Sequence, residues 1–286
     1  MLSAAGCGGQ TGGIAHPTPT PVAAVESPSP SAAASEAPSP RPAPTHVFVI
    51  VMENRSYSQA LTGGYTAQLA ARYGVAANYH GVTHPSLPNY LAMTSGSTWA
   101  VTDDGFHRLP AGGIGAELTN AGIGWRAYME GMNNGCFNSA YPYALKHNPF
   151  AYYGAACPAN VVPFTQFARD MAAPDVPRFV WITPGLCHDG HDCSTAVADT
   201  WLAQAVPTIL GTAAWQNGGV LFITWDEGED TANSVLTLVI RPGAAHAASA
   251  HAYNHYSLLA TIEDALGVPR LGAARDAAAM TDLAPA

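Results

Sequence analysis

Lysine is nearly missing from this chain: Lys146 is the only one in 286 residues, and charged side chains of all kinds make up 11%. Lys and Arg total 11 against 20 Asp and Glu, a formal charge of −9. Nucleic-acid surfaces and polybasic membrane patches depend on clustered cations, so this balance argues against both. Also missing is any apolar run near the roughly 18–20 residues that span a bilayer. The longest candidates, such as HVFVIVM at 46–52, have the length of buried strands.

Cysteine is scarce but patterned. Cys136, Cys157, Cys187 and Cys193 lie in the part of the chain that reads as globular, and Cys7 stands alone near the start. Four plus one predicts two disulfides and hence an oxidising compartment. The closeness of Cys187 to Cys193 favours the pairs Cys187–Cys193 and Cys136–Cys157. The residues MLSAAG before Cys7 resemble the end of a bacterial lipoprotein signal whose charged and apolar parts are absent. The expectation is a truncated lipoprotein, extracytoplasmic, with Cys7 as its lipid anchor. Residues 8–44 are rich in Pro, Ser, Ala and Thr, with too little apolar surface to offset ordering entropy. In polyproline geometry, at about 3.1 Å per residue, such a tether reaches on the order of 100 Å. Residues 1–44 are therefore read as signal remnant and disordered tether, and 45–286 as one domain.

Within that domain apolar runs alternate with helical patterns. HVFVIVM, GWRAYMEGM, PRFVWITP, GGVLFITW and SVLTLVIRPG read as strands, and HYSLLATIEDALG as a helix that stops at Gly267. Near-continuous apolar strands between helices predict an α/β fold, a mostly parallel doubly wound sheet with helices on both faces. In such a sheet functional groups gather beyond the carboxyl ends of the strands.

Glu53 and Asn54 follow the first strand directly, and Asp226 and Glu227 end the strand GGVLFITW. Three carboxylates and a carboxamide brought together repel unless a cation sits among them. Oxygen-only donors favour a hard divalent ion. CHDGHDC at 187–193 places His188, Asp189, His191 and Asp192 in a loop after another strand, each imidazole beside a carboxylate that can fix its tautomer. THPSLPNY at 83–90 puts Ser86 between two prolines at a helix start, where free N–H groups favour an anion such as phosphate. No G-x-S-x-G elbow surrounds it, which disfavours a serine esterase. His84 and Asn89 receive structural roles. His147, in KHNPF, and His255, in YNHYS, each read as structural when taken alone.

Taken in order, VFVIVMENRSY, THPSLPNYLAMTSG, YMEGM, KHNPF, FVWITPGLCHDGHDCS, GGVLFITWDEGE and YNHYSLLATIEDALG resemble the bacterial phosphoesterase family of acid phosphatases and phospholipase C enzymes. That family lies within the alkaline phosphatase-like superfamily, and the resemblance runs from His46 to about Leu283. It implies that Ser86 is a nucleophile forming a phosphoserine intermediate. It also implies that Glu53, Asn54, Ser86, Asp226 and Glu227 hold one divalent ion, with Mg, Ca, Mn and Zn all open. His188, His191 and His255 would bind the transferring phosphoryl oxygens or protonate the leaving alcohol, with Asp189 and His147 in the substrate-binding set. Glu227 stands where many members of the superfamily have histidine, and Glu53–Asn54 replaces a more usual aspartate. The function implied is acid phosphatase. A phosphodiesterase or phospholipase C with the same site, a metal-independent serine hydrolase and a non-catalytic surface binding module stand beside it.

Overall fold

The computed structural model describes residues 45–284, together with residues 8–10, 12–13, 15–16 and 18. The expectations for Cys7 and for most of the 8–44 tether lie outside the described residues. Contacts divide the chain into Met1–Ser39 and Pro40–Ala286, and the architecture that follows is that of the second unit.

The elements run β1 (Val47–Met52), α1 (Tyr57–Ala60), α2 (Gly64–Arg72), β2 (Gly74–Ala76), β3 (Tyr79–His80), α3 (Ser86–Ser95), α4 (Gly113–Asn120), β4 (Trp125–Met129), β5 (Val161–Pro163), α5 (Phe167–Met171), β6 (Phe179–Thr183), α6 (Thr195–Leu210), α7 (Ala213–Gln216), β7 (Val220–Trp225), β8 (Thr237–Ile240), β9 (Ala247–Ser249), β10 (Tyr253–Asn254) and α8 (His255–Leu266). Every residue of β1 and β7 is buried, as unbroken apolar runs demand when both faces of a sheet are covered. The main sheet has the order β5-β4-β6-β1-β7-β8-β2-β9, and β3 pairs separately with β10. From β5 through β7 the pairing is parallel, with β1 flanked by β6 and β7. Helices α3, α4 and α8 pack together, as do α2, α5, α6 and α7 around α6.

The run SVLTLVIRPG does contain a strand, β8, but it pairs antiparallel with both β7 and β2. Residues 226–236 alone separate it from β7, too few for the helical crossover that a parallel neighbour requires. The sheet is thus mostly parallel, with one reversed strand beside the site.

Both disulfides form as expected, Cys136–Cys157 and Cys187–Cys193. No helix among the described residues is long and apolar enough to cross a membrane.

Helix α3 ends at Gly96, which sits at φ 68° as a left-handed cap. A Cβ there would lie 2.2 Å from the Leu271 carbonyl oxygen, a backbone atom with little room to yield. Gly96→Ala should therefore destabilise the fold by roughly 2–4 kcal/mol, read as a shift in the denaturant midpoint at unchanged slope. An unshifted midpoint would show that the α3 terminus tolerates displacement.

Candidate active site

Ser86 is the first residue of α3, with Pro85 as the preceding cap and Pro88 in the first turn. Both prolines fall where backbone N–H groups lack intrahelical partners anyway. Asn89 ties the entry loop down: its Oδ1 accepts from Val82 N at 2.9 Å and Thr83 N at 3.1 Å, while its Nδ2 donates to the Thr83 and Pro85 carbonyls. Its expected structural role is what the geometry shows. The helix start is not wholly free for an anion, however. Asp104 Oδ1 accepts from Leu87 N at 3.0 Å, a partner the sequence reading passes over.

Strand β1 delivers Glu53, and the chain then turns through Asn54 at φ 42°, a left-handed conformation that asparagine tolerates better than most residues. Glu53 is fully buried. Its Oε2 accepts from Ser86 Oγ at 3.0 Å, and its Oε1 from the Tyr90 hydroxyl at 2.5 Å. Ser86 and Tyr90 lie four apart on α3 and so share one face. Asn54 Oδ1 is 3.4 Å from Ser86 Oγ, and Asn54 N donates to Asp226 Oδ1 at 3.2 Å. Oxygens from the exits of β1 and β7 thus converge on one serine, as the strand-end rule predicts.

The histidines depart from expectation. His255 is fully buried, with Nε2 donating to the Asp226 carbonyl at 2.5 Å and Nδ1 3.1 Å from the Tyr79 hydroxyl. A carbonyl only accepts, so Nε2 carries the proton and Tyr79 donates to Nδ1. Burial pulls its pKa down to about 4. Neutral and with both nitrogens committed, His255 props the Asp226 backbone and is not placed to protonate a leaving group. His188 turns away as well: its Nδ1 lies 2.9 Å from Glu130 Oε1, and its ring stacks on Trp201 at 6.4 Å. There it lines a cavity of about 340 Å³ along α6. Asp189 and His147, expected in the substrate-binding set, face protein groups: Asp189 Oδ1 accepts from His191 N at 2.7 Å. His147 instead sits between two carboxylates, 3.3 Å from Glu53 Oε2 and 3.3 Å from Asp189 Oδ2. These are ion-pair distances without hydrogen-bonding angles, since His147 Nε2 and Asp189 Oδ2 have no hydrogen-bond partner. Its ring stacks on Tyr90 at 5.3 Å. Burial, followed by nearby Lys146, holds His147 well below the ordinary imidazole range.

His191 alone of the expected histidines stays at the rim. Its Nδ1 lies 2.7 Å from Asp192 Oδ1, and its Nε2 lies 3.3 Å from Lys146 Nζ. Lys146 Nζ donates to Asp104 Oδ2 at 2.9 Å. Burial alone would lower the lysine pKa, but Asp104, then Glu53 and Asp226, raise it overall, so the single lysine stays charged. His84 Nδ1 lies 2.6 Å from Glu227 Oε2, giving this half-exposed residue a place at the site where a purely structural one was expected. Sequence reasoning assigns no site role to Tyr90, Asp104 or Lys146, and a structural one to His84. Only Lys146, as the sole lysine, carried a visible signal. Arg55 closes the frame, donating to the Asn54 carbonyl at 2.6 Å and the Cys193 carbonyl at 2.9 Å, so it ties the β1 exit to the disulfide loop. In that loop Gly190, at φ 103°, lets the backbone approach Glu53: a Cβ there would lie 3.2 Å from the Glu53 carbonyl oxygen.

The carboxylates carry the electrostatic strain. Burial first, then Asp226 and Asp189, pushes Glu53 well above the ordinary range. Burial and then Glu227 raise Asp226 to about 8, and burial and then Asp104 raise Glu227 to about 7. Asp189 rises to about 7, through burial. Asp226 Oδ2 is buried without a hydrogen-bond partner. Among the described residues no three His, Cys, Asp or Glu side chains stand arranged as a metal-holding group. A donor set here therefore needs Asn54 Oδ1 and Ser86 Oγ beside the carboxylates. An orphaned carboxylate oxygen, mutual repulsion and oxygen-only chemistry fit a hard divalent cation.

The fold is that of alkaline phosphatase-like α/β proteins. Against a solved protein of the alkaline phosphatase superfamily from Vibrio parahaemolyticus the fold aligns with a TM-score of 0.58 at 10% identity, covering 85% of this chain and 72% of that one. Residues 62–269 match the model of the Phosphoesterase family, and the chain belongs to that family. It is 31% identical over 251 residues to the phosphatidylinositol-3-phosphatase of Mycobacterium tuberculosis, covering 82% of this chain and 81% of that one. It is 30% identical over 247 residues to a probable acid phosphatase of Kluyveromyces lactis, covering 79% of this chain but 59% of the yeast protein.

Proposed function

We propose that the protein is a metal-dependent phosphomonoesterase acting through a phosphoserine at Ser86. The observation that carries this reading is the convergence on Ser86 Oγ of Glu53 and Asn54, with Asp226 beside them. Ser86 Oγ has Glu53 and Asn54 as its partners and no imidazole among them, so activation by a histidine base finds no support.

A divalent ion held by Glu53, Asn54, Ser86, Asp226 and Glu227 would lower the serine hydroxyl pKa and offset phosphoryl charge. Ser86 Oγ releases its proton along its existing hydrogen bond to Glu53 Oε2 and attacks phosphorus in line with the leaving alcohol. The Oγ–P bond forms as the P–O bond to the alcohol breaks. His191, its ring held by Asp192 through Nδ1, protonates the departing oxygen from Nε2 once that nitrogen, which accepts from Lys146 Nζ in the resting arrangement, has itself taken a proton. His191 then takes a proton from the water that attacks the phosphoserine, the Oγ–P bond breaks, and Ser86 Oγ regains the proton held by Glu53 as phosphate leaves. Lys146 and His84, at the rim, face the transferring phosphoryl charge. Glu53 is kept in place by Tyr90, and Asp226 by His255.

The deciding assay compares p-nitrophenyl phosphate with bis-p-nitrophenyl phosphate on purified protein. Faster monoester turnover is expected; faster diester turnover would move the protein to the phosphodiesterase or phospholipase C reading. His191→Gln should lower kcat by roughly 10²–10³ on alkyl phosphates, whose leaving group needs a proton. On p-nitrophenyl phosphate, whose phenolate departs unaided, the loss should stay under about tenfold. Equal losses on both would show that His191 binds phosphate and is not the acid.

The two disulfides suit an oxidising compartment, and we place the protein outside the cytoplasm. Mass analysis of the cell-associated form would test lipid attachment at Cys7.

A further inference from the structure

Among the described residues few large apolar side chains face solvent, and two of them touch. Phe106 is 51% exposed and Phe137 47%, with rings edge to face at 5.6 Å. Phe106 also leans on the buried ring of Tyr152 at 5.4 Å. Exposure of two adjoining phenylalanines forgoes hydrophobic stabilisation that burial would supply, which marks the pair for contact with something else.

The pair is anchored and belongs to the active-site rim. Phe137 follows Cys136, which is bonded to Cys157 and whose carbonyl accepts from the Tyr143 hydroxyl. Phe106 lies two residues after Asp104, the carboxylate that holds both Leu87 N and Lys146 Nζ. Leu87 adjoins Ser86, and Lys146 reaches His191, the proton donor assigned above. Through Asp104, two residues before Phe106, the paired rings are linked to Leu87 N at the start of α3 and to Lys146.

We infer that Phe106 and Phe137 form the leaving-group subsite and select phosphate esters whose alcohol carries an aromatic ring. The inference rests on the phosphomonoesterase reading. Two perpendicular rings present both a face and an edge to a third ring, the geometry aromatic groups prefer. They offer no hydrogen-bonding atom to a sugar or polyol. The net charge of −9 and the lack of clustered cations disfavour an anionic membrane as the occupant.

The test compares 2-naphthyl phosphate with glycerol 2-phosphate for wild type, Phe106→Ala, Phe137→Ala and the double variant. For the double variant kcat/KM on the naphthyl ester should fall about tenfold, chiefly through KM, while the glycerol ester stays within about twofold. Equal losses on both esters, or none on either, would overturn the inference. So would an unchanged substrate ratio with lost binding to phosphatidylcholine vesicles, which would make the pair a membrane contact. Failure of the underlying reading looks different: wild type would turn over neither monoester. The same comparison would then be made between diesters of methyl phosphate with 2-naphthol and with glycerol, whose leaving groups differ as those of the monoesters do.

Discussion

Ser86→Ala should lower kcat/KM on p-nitrophenyl phosphate by roughly 10⁴-fold or more, because on the phosphoserine mechanism proposed above no neighbouring atom can replace the lost nucleophile. The hydroxyl sits at the start of α3 with Glu53 Oε2 at 3.0 Å and Asn54 Oδ1 at 3.4 Å, and the nearby Tyr90 oxygen is already committed to Glu53. Burial also pushes the Tyr90 hydroxyl well above its ordinary pKa, so it is a poor substitute. The fold should survive the change, since removing one hydroxyl leaves α3 and its loop bonds through Asn89 intact. A second measurement separates mechanism from mere damage: acid-quenched wild type should retain label from radioactive substrate on Ser86, and the variant none. Full activity in the variant, or label on another residue, would remove Ser86 from the mechanism.

The strand-end rule located Glu53, Asn54, Asp226 and Glu227 because each follows its strand within one or two residues. At that spacing the backbone alone determines where the groups emerge. Ser86 was legible for a related reason: two prolines mark a helix start, and a helix start fixes the direction of its first side chains. The histidines were not legible in this way. His188, Asp189 and His191 lie within four consecutive positions, yet they face Glu130, His147 and Lys146 respectively. Which way each ring points inside a disulfide-closed loop depends on partners more than 40 residues away. His255 reads as structural when taken alone and enters the expected site only through the family resemblance; its ring supports a backbone carbonyl. Asp104 left no local sign, since its meaning arises only when a loop folds over α3 and brings Lys146 alongside.

The same crowding of carboxylates makes metal removal the other large effect. Without a cation, burial and mutual repulsion hold Asp226 near 8 and Glu227 and Asp189 near 7, against about 4 for such groups in an unfolded chain. Between those limits the folded state binds more protons than the unfolded one, so stability falls as pH rises. In chelator, Tm should therefore drop between pH 5 and pH 8, by roughly 5–10 °C for a chain of this size. A bound divalent ion favours the ionised carboxylates, so excess metal should flatten or reverse that slope and raise Tm at pH 8. Activity should fall at least about 100-fold in chelator and return with the ion that restores Tm. Asp226→Asn supplies the control that distinguishes a cation site from general acidity. By removing one repelling charge it should raise Tm at pH 8 in chelator relative to wild type, yet respond less to added metal. A variant that keeps the full metal response, or a wild-type pH slope indifferent to chelator, would mean that these carboxylates hold protons and do not hold an ion.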